Sequence, residues 1–231
     1  MKSIYPNISA HQADNFFMER SILSCRNDDV DEINKIILDK FPGQSRIYTS
    51  ADKVVLEDGA DGNDAPVYPV EYLNTLSIGG LPLAKLELKA GCPLMLLRNL
   101  DPFNGLCNGT RLILLEMRSR VVRCRVLSGT HAGTEVLIPR ISLEPSNEAL
   151  GFKFIRRQFP VRLSFAMTIN KSQGQSIHLV GLDLRTAVFA HGQLYVALSR
   201  STSADRIRVL LPTNHSKTTN IVYEEILTGI V

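Results

Sequence analysis

Two hydrophobic rhythms alternate along these 231 residues. Toward both ends, short solid apolar runs lead through polar turns into segments with helical spacing. In the middle, apolar and polar residues alternate nearly one for one. Ser21-Ile-Leu-Ser-Cys25 is a solid apolar run and predicts a short buried strand. Asn27 then offers a helix cap, and the acidic residues that follow suit the positive end of a helix dipole. Val30, Ile33, Ile36 and Ile37 form the expected buried stripe, and Phe41-Pro-Gly ends the helix.

The middle of the chain reads differently. Leu86-Glu-Leu-Lys-Ala-Gly-Cys-Pro-Leu-Met-Leu-Leu-Arg98 predicts a strand, a Gly-Cys-Pro break and a second, more apolar strand. Residues 101–109 are dense with turn formers. Residues 111–117, 121–127 and 135–139 then predict three strands with short connections. In the second of these, Val122, Cys124 and Val126 share one face while Arg123 and Arg125 share the other. Short strands at this spacing suggest a small antiparallel barrel.

From residue 161 the first rhythm returns. Residues 161–169 predict a strand leading into a polar turn at 170–175. A strand at 177–184, a helix at 191–200, a strand at 206–211 and a helix at 217–227 follow. Residues 58–66, acidic and rich in glycine, are the natural boundary. The simplest architecture is an α/β domain assembled from residues 1–66 and 161–231, with residues 67–160 as an inserted β-domain.

Charge adds to this picture through its distribution. Residues 1–66 carry a balance of −5 and residues 111–162 a balance of +6, although the whole chain is only +3. A basic middle suits a polyanionic partner, and equally suits a solvated face. Cys25, Cys92, Cys107 and Cys124 lie far apart with no CxxC spacing, so neither zinc nor a disulfide framework is expected. No metal site is read from the sequence. Reduced thiols, no apolar signal-peptide core and no run of the roughly 20 apolar residues that span a bilayer give the expectation of a soluble intracellular, nuclear protein.

Two segments carry candidate chemistry. Thr168-Ile-Asn-Lys-Ser-Gln-Gly-Gln175 lies at the carboxyl end of a predicted strand, where open α/β sheets bind their ligands. Gly174 allows close backbone approach, Lys171 offers a point charge, and Ser172, Gln173 and Gln175 offer hydrogen bonds. Arg200 ends the short helix at 191–200. There it serves either as a helix-ending cation or as an arginine finger that neutralises charge on a transferring phosphoryl group.

The blocks Ser21-Ile-Leu-Ser-Cys-Arg-Asn-Asp-Asp-Val-Asp-Glu-Ile-Asn, Leu86 to Leu100, Asn108-Gly-Thr-Arg, Ala166 to Ser176 and Leu194-Tyr-Val-Ala-Leu-Ser-Arg occur in order. As a set they resemble the C-terminal half of a Pif-type superfamily 1B DNA helicase, closest to the helicases of Helitron transposons. The resemblance implies a RecA-like second helicase domain of the P-loop NTPase type, interrupted by a small barrel of Src-homology-3 type. It implies ATP and Mg2+ as the complete enzyme's requirements, 5′ to 3′ movement, and single-stranded or forked DNA as partner. By motif, Asn27 falls in helicase motif IV, Thr168 to Gln175 in motif V and Arg200 in motif VI. Arg200 is then the catalytic residue, and Gln173, Gly174 and Gln175 face the nucleotide. Asn27, Thr168, Asn170, Lys171 and Ser172 face nucleic acid, together with Arg123 and Arg125 of the basic strands. Asn170 stands where many relatives carry histidine, which removes a titratable group.

No Gly-x-x-x-x-Gly-Lys-Ser/Thr loop occurs in these residues, nor an Asp-Glu pair after an apolar strand. The expectation is therefore a chain that is silent alone and needs a partner carrying the N-terminal helicase half. The alternative is a non-catalytic module that binds single-stranded nucleic acid.

Overall fold

The computed structural model describes residues 1–10, 12–55, 68–145 and 152–227. In chain order the elements begin α1 (Asp14–Met18), β1 (Arg20–Ser24), α2 (Asn27–Lys40), β2 (Ser45–Thr49), β3 (Ala51–Val55), α3 (Val70–Thr75), β4 (Lys85–Lys89) and β5 (Pro93–Leu96). They continue with β6 (Arg111–Met117), β7 (Val121–Val126), β8 (Glu135–Pro139), β9 (Ile141–Leu143), β10 (Lys153–Gln158) and β11 (Val161–Leu163). The last are β12 (Ala166–Thr168), β13 (Leu179–Asp183), α4 (Gln193–Leu198), β14 (Ile207–Leu210) and α5 (Glu224–Leu227). The chain divides into two compact units, Met1–Pro42 with Leu163–Val231, and Gly43–Arg162.

The first unit is built on a four-stranded parallel sheet in the order β12-β1-β13-β14. Its inner strands are solid apolar runs because parallel strands are covered on both faces. Ile22, Leu23, Val180 and Leu182 are all buried. Helix α2 packs with Val30, Ile33, Ile37 and Leu38 buried. Ile36, expected in that stripe, is only half-buried, and Asn34 takes the inner position instead. Its carboxamide nitrogen donates to the Leu163 and Ala166 carbonyls at 3.2 and 3.1 Å. Its oxygen accepts from the Ala166 N–H at 2.8 Å. The N-terminal segment adds Tyr5, Phe16 and Phe17 to a ring cluster with Phe41 and Phe165. Gly181 makes room for it, since a Cβ there would come within 2.7 Å of Ile4.

The second unit holds a five-stranded sheet (β11-β5-β6-β7-β8), a three-stranded sheet (β3-β10-β9) and the antiparallel pair β2-β4. Strands β5 to β8 are joined antiparallel, with a register shift between Leu114 and Glu116. As the alternation predicts, Val122, Cys124 and Val126 are buried, while Arg123 is exposed and Arg125 half-buried. Between β10, β3 and α3 lies a charged core. Arg156 and the Asp52 side chain are 1% and 0% exposed, and the closest of their contacts is 2.8 Å. The same guanidinium donates to the carbonyls of Leu73, Leu76 and Pro82, so its whole donor fork is engaged.

Several expectations are corrected. Among the described residues no barrel closes: they form an open five-stranded sheet and two smaller sheets, because β3 and β10 pair with each other rather than completing a ring. The first division falls at residue 43, not 66, since β2 and β3 pair inside the second unit. The acidic stretch 58–66 lies outside the described residues. Helix α2 begins at Asn27 itself, its cap residue is Arg26, and no side chain caps it. The expected strand 161–169 is broken into β11, β12 and a 3-10 turn at Ile169–Ser172. Of the expected helix 217–227 only α5 is helical. Upstream, the Tyr223 ring stacks 4.7 Å from His191 and its N–H donates to the His191 Nδ1, which fixes a non-helical path. Among the described residues no helix is long and apolar enough to cross a membrane.

Two consequences are measurable. Asp52→Ala leaves the Arg156 charge buried without its carboxylate, and should lower stability in urea denaturation by about 3–5 kcal/mol. Burial pushes the Cys92 and Cys124 thiols up to about 12, and burial with nearby Asp29 and Asp183 pushes Cys25 up to about 11. The folded form thus keeps thiols neutral that the unfolded chain ionises near 9. Their contribution is whole below that pH and is lost as pH rises through the folded values. The denaturation midpoint should fall from about pH 9 to about pH 11, and fall less steeply in Cys92→Ala/Cys124→Ala.

Candidate functional site

The parallel sheet sets the site's frame through its register. Ser24 at the end of β1 lies opposite Thr168 on one side and Asp183 on the other, so three strands end level at the carboxyl edge. Chain leaving that edge forms the turn after Thr168, the start of α2 and the segment that runs on to α4. This is the edge at which open α/β sheets meet ligands.

The turn and the arginine meet there. Thr168 precedes the 3-10 turn Ile169–Ser172, and Gly174 follows with φ +79°. No atom lies within 4 Å of where a Gly174 Cβ would stand, so glycine is needed for the left-handed backbone and leaves open space above it. Arg200, two residues past α4, folds back onto this turn. One terminal guanidinium nitrogen donates to the carbonyls of both Ser172 and Gln175, each at 3.2 Å. The Nε donates to the Val196 carbonyl at 2.8 Å, and the other terminal nitrogen to the Ser199 hydroxyl at 2.9 Å. The Arg200 carbonyl in turn accepts from the Ile177 N–H at 2.9 Å. The arginine and the turn are therefore one hydrogen-bonded piece.

Individual turn residues have different exposures. Asn170, Lys171, Gln173 and Gly174 are exposed, and Gln175 is half-buried with its amide donating to the Lys171 carbonyl. Ser172, expected to face nucleic acid, is fully buried, and its hydroxyl donates to the Ile169 carbonyl at 2.6 Å. That hydroxyl shapes the turn from inside. Asn27, exposed in the first turn of α2, stands at the same sheet edge beyond β1.

Other groups at this edge were not anticipated. Asp183, buried, is gripped by Arg185 through contacts down to 2.7 Å, and this carboxylate holds the guanidinium more firmly charged. The signal was present as an acid ending an apolar strand two residues before an arginine. Gln193 is also buried. Its oxygen accepts from the Phe189 N–H, and its amide nitrogen is buried with no partner among the described residues.

Arg123 and Arg125 belong to the second unit and are already paired. Arg123 contacts Glu135 at 2.7 Å and Glu116 at 3.3 Å, while Arg125 contacts Glu135 at 3.1 Å. Arg118 takes Glu116 at 2.7 Å. These guanidinium groups hold both carboxyls below the usual glutamate range. The basic face that alternation promised is largely self-neutralised.

The described residues contain no group of three His, Cys, Asp or Glu side chains able to hold a metal ion. The turn and Arg200 offer donors to a phosphoryl group, but no carboxylate set for magnesium accompanies them.

The comparisons with known proteins agree with this frame. Residues 71–117 match the family model described as DNA helicase Pif1, 2B domain. The ATP-dependent DNA helicase PIF1 of Xenopus laevis is 31% identical over 188 residues, which is 81% of this chain and 27% of that protein. The chain thus spans about a quarter of that relative's length. The crystal structure of Pif1 helicase from Candida albicans superposes with a TM-score of 0.66 at 23% identity, over 98% of this chain and 53% of that one. The Pif1 helicase from Bacteroides in complex with ADP-AlF3 and ssDNA gives 0.65 at 21% identity, over 99% and 48%. Pif1 helicases have a RecA-like α/β fold, and the fold of this chain is theirs. With its matched domain, its similarity over four-fifths of its length and its fold, this chain belongs to the Pif1 helicase family.

Proposed function

We propose that this chain is the C-terminal portion of an ATP-dependent 5′ to 3′ DNA helicase, of the kind encoded by Helitron transposons, and that it acts on single-stranded or forked DNA. One observation carries the reading: the Arg200 guanidinium is bonded to the carbonyls of Ser172 and Gln175, so a candidate arginine finger and a candidate DNA-facing turn form one unit at a ligand-binding sheet edge. ATP supplies the phosphoryl group to be transferred. Arg200 neutralises charge on that group, with Gln173 and Gln175 as neighbouring donors. Asn27, Thr168, Asn170 and Lys171 meet the DNA, and Ser172 holds the turn's shape beneath them.

Phosphoryl transfer also requires a phosphate-cradling loop and magnesium ligands. Neither pattern occurs in these 231 residues. An N-terminal helicase half is proposed to supply both, and the complete assembly to work in the nucleus. The same absence supports a second reading, in which the chain binds single-stranded DNA without turnover.

Hydrolysis assays separate the two. The chain alone should release no phosphate from ATP. Mixed with a Pif1-type N-terminal half and single-stranded DNA, it should restore DNA-stimulated release. Arg200→Ala should then lower turnover by roughly three orders of magnitude or more while nucleotide affinity changes far less. Failure of every such mixture, with DNA binding intact, favours the binding module. Hydrolysis by the chain alone sinks the two-half reading.

A further inference from the structure

A second group of arginines lies in the unit Gly43–Arg162, and it differs from the paired strand arginines in making no ion pair among the described residues. Arg46 and Arg140 both lie over the ring of Tyr48, at 5.1 and 5.5 Å, and Arg140 is also 5.1 Å from the Phe159 ring. Arg140 donates to the Thr49 carbonyl at 2.7 Å, and Arg46 to the Met117 carbonyl at 2.9 Å. Among the described residues neither makes an ion pair, nor does Arg157, whose charge together with that of Arg46 repels Arg140. The Nε of Arg140 is buried with no hydrogen-bond partner. Its guanidinium loses its proton more readily than usual, through burial first and those two like charges after.

Two cations over one Tyr48 ring, with Arg157 paired across the sheet to Ser142 two residues from Arg140 and with no ion pair among the described residues, repel one another unless an anion joins them. The aromatic faces fix two of them in place and shield them from water on one side. Planar guanidinium donors held in this way match phosphate oxygens. We infer that Arg46, Arg140 and Arg157 form a phosphate-binding site that engages the backbone of single-stranded DNA. The site deepens the DNA-binding reading above, and rests on it for the identity of the anion. It also moves the electrostatic contact of this unit away from Arg123 and Arg125, whose charges Glu116 and Glu135 already meet.

The test uses the full chain and a fluorescent oligothymidine, with binding followed by anisotropy across a salt series. Arg46 and Arg157 are exposed, so Arg46→Gln/Arg157→Gln should fold normally, as a matching thermal melt would confirm. Two lost phosphate contacts should weaken binding by roughly 10- to 30-fold near 0.1 M salt and make the log–log salt slope shallower by about 1.4. Arg123→Gln/Arg125→Gln should change binding by less than about twofold, as expected for arginines already held by surface carboxylates. A second readout is inorganic pyrophosphate, which should raise the melting temperature of the wild-type chain and not that of Arg46→Gln/Arg157→Gln. Equal affinity and slope in wild type and that variant overturn the site. If wild type binds no oligonucleotide but pyrophosphate still stabilises it through these arginines, the phosphate site stands and the DNA reading falls. If neither ligand binds wild type, both fall.

Discussion

Strand β12 is three residues long, too short to hold its register by ladder bonds alone, and the Asn34 carboxamide supplies what the ladder lacks. It bonds both the N–H and the carbonyl of Ala166, from a helix 132 residues earlier in the chain. A buried amide left half-satisfied would cost about 1–3 kcal/mol for each unpaired group, so α2 and β12 have one favourable relative placement. That placement brings Thr168 level with Ser24, and through Ser24 with Asp183. The turn carrying Lys171 and Gln173 begins one residue after Thr168. The geometry of the candidate site is thus inherited from a polar contact inside the core.

Arginine plays three roles here, and solvent decides among them. Arg156 is wholly buried and survives because a carboxylate and three carbonyls meet its donors. Such a group specifies one packing of α3 against β3 and β10 more than it adds stability. Arg123, exposed, and Arg125, half-buried, are surface ion pairs, each of which contributes little. Arg46 and Arg140 sit between these cases, shielded by rings yet unmatched by charge. A count of basic residues along the chain treats all of them alike: the +6 balance of residues 111–162 includes Arg140 and Arg157 as well as Arg123 and Arg125, and cannot tell the paired from the unpaired.

The inner strands β1 and β13 were legible because they are solid apolar runs, and the acidic first turn and Phe41-Pro-Gly marked the bounds of α2 although no side chain caps it. The motifs around residues 168–175 and 194–200 were readable only as part of a set of five blocks in order, since either string alone equally suits a solvated connection or a helix-ending cation. Strands β2 and β3 were not legible. In β2 only Tyr48 is buried, and Arg46 and Thr49 face outward, so no alternation marks it. The closed barrel failed because strand pairing is non-local: β3 joins β10 about a hundred residues on, across a stretch that no local pattern can bridge. Asn34 hid in plain view, four residues after Val30 and three before Ile37, where a polar residue in a buried stripe is itself the clue.

How Arg200 is held bears on how such a site would work. A single nitrogen donates to two carbonyls on the turn, and both bonds are already 3.2 Å long, near the outer range for N–H···O contacts. A shift of the turn by about an ångström would break both and free that nitrogen. The other terminal nitrogen, bonded once to Ser199, keeps a second N–H for another acceptor. Arg200 is thus preplaced by the same turn whose outer side chains, Asn170, Lys171 and Gln173, face solvent. Anything that grips those side chains pulls on the carbonyls that hold the arginine. In the helicase reading, DNA occupancy and charge neutralisation then share a backbone segment of four residues, and the coupling needs no longer path than that.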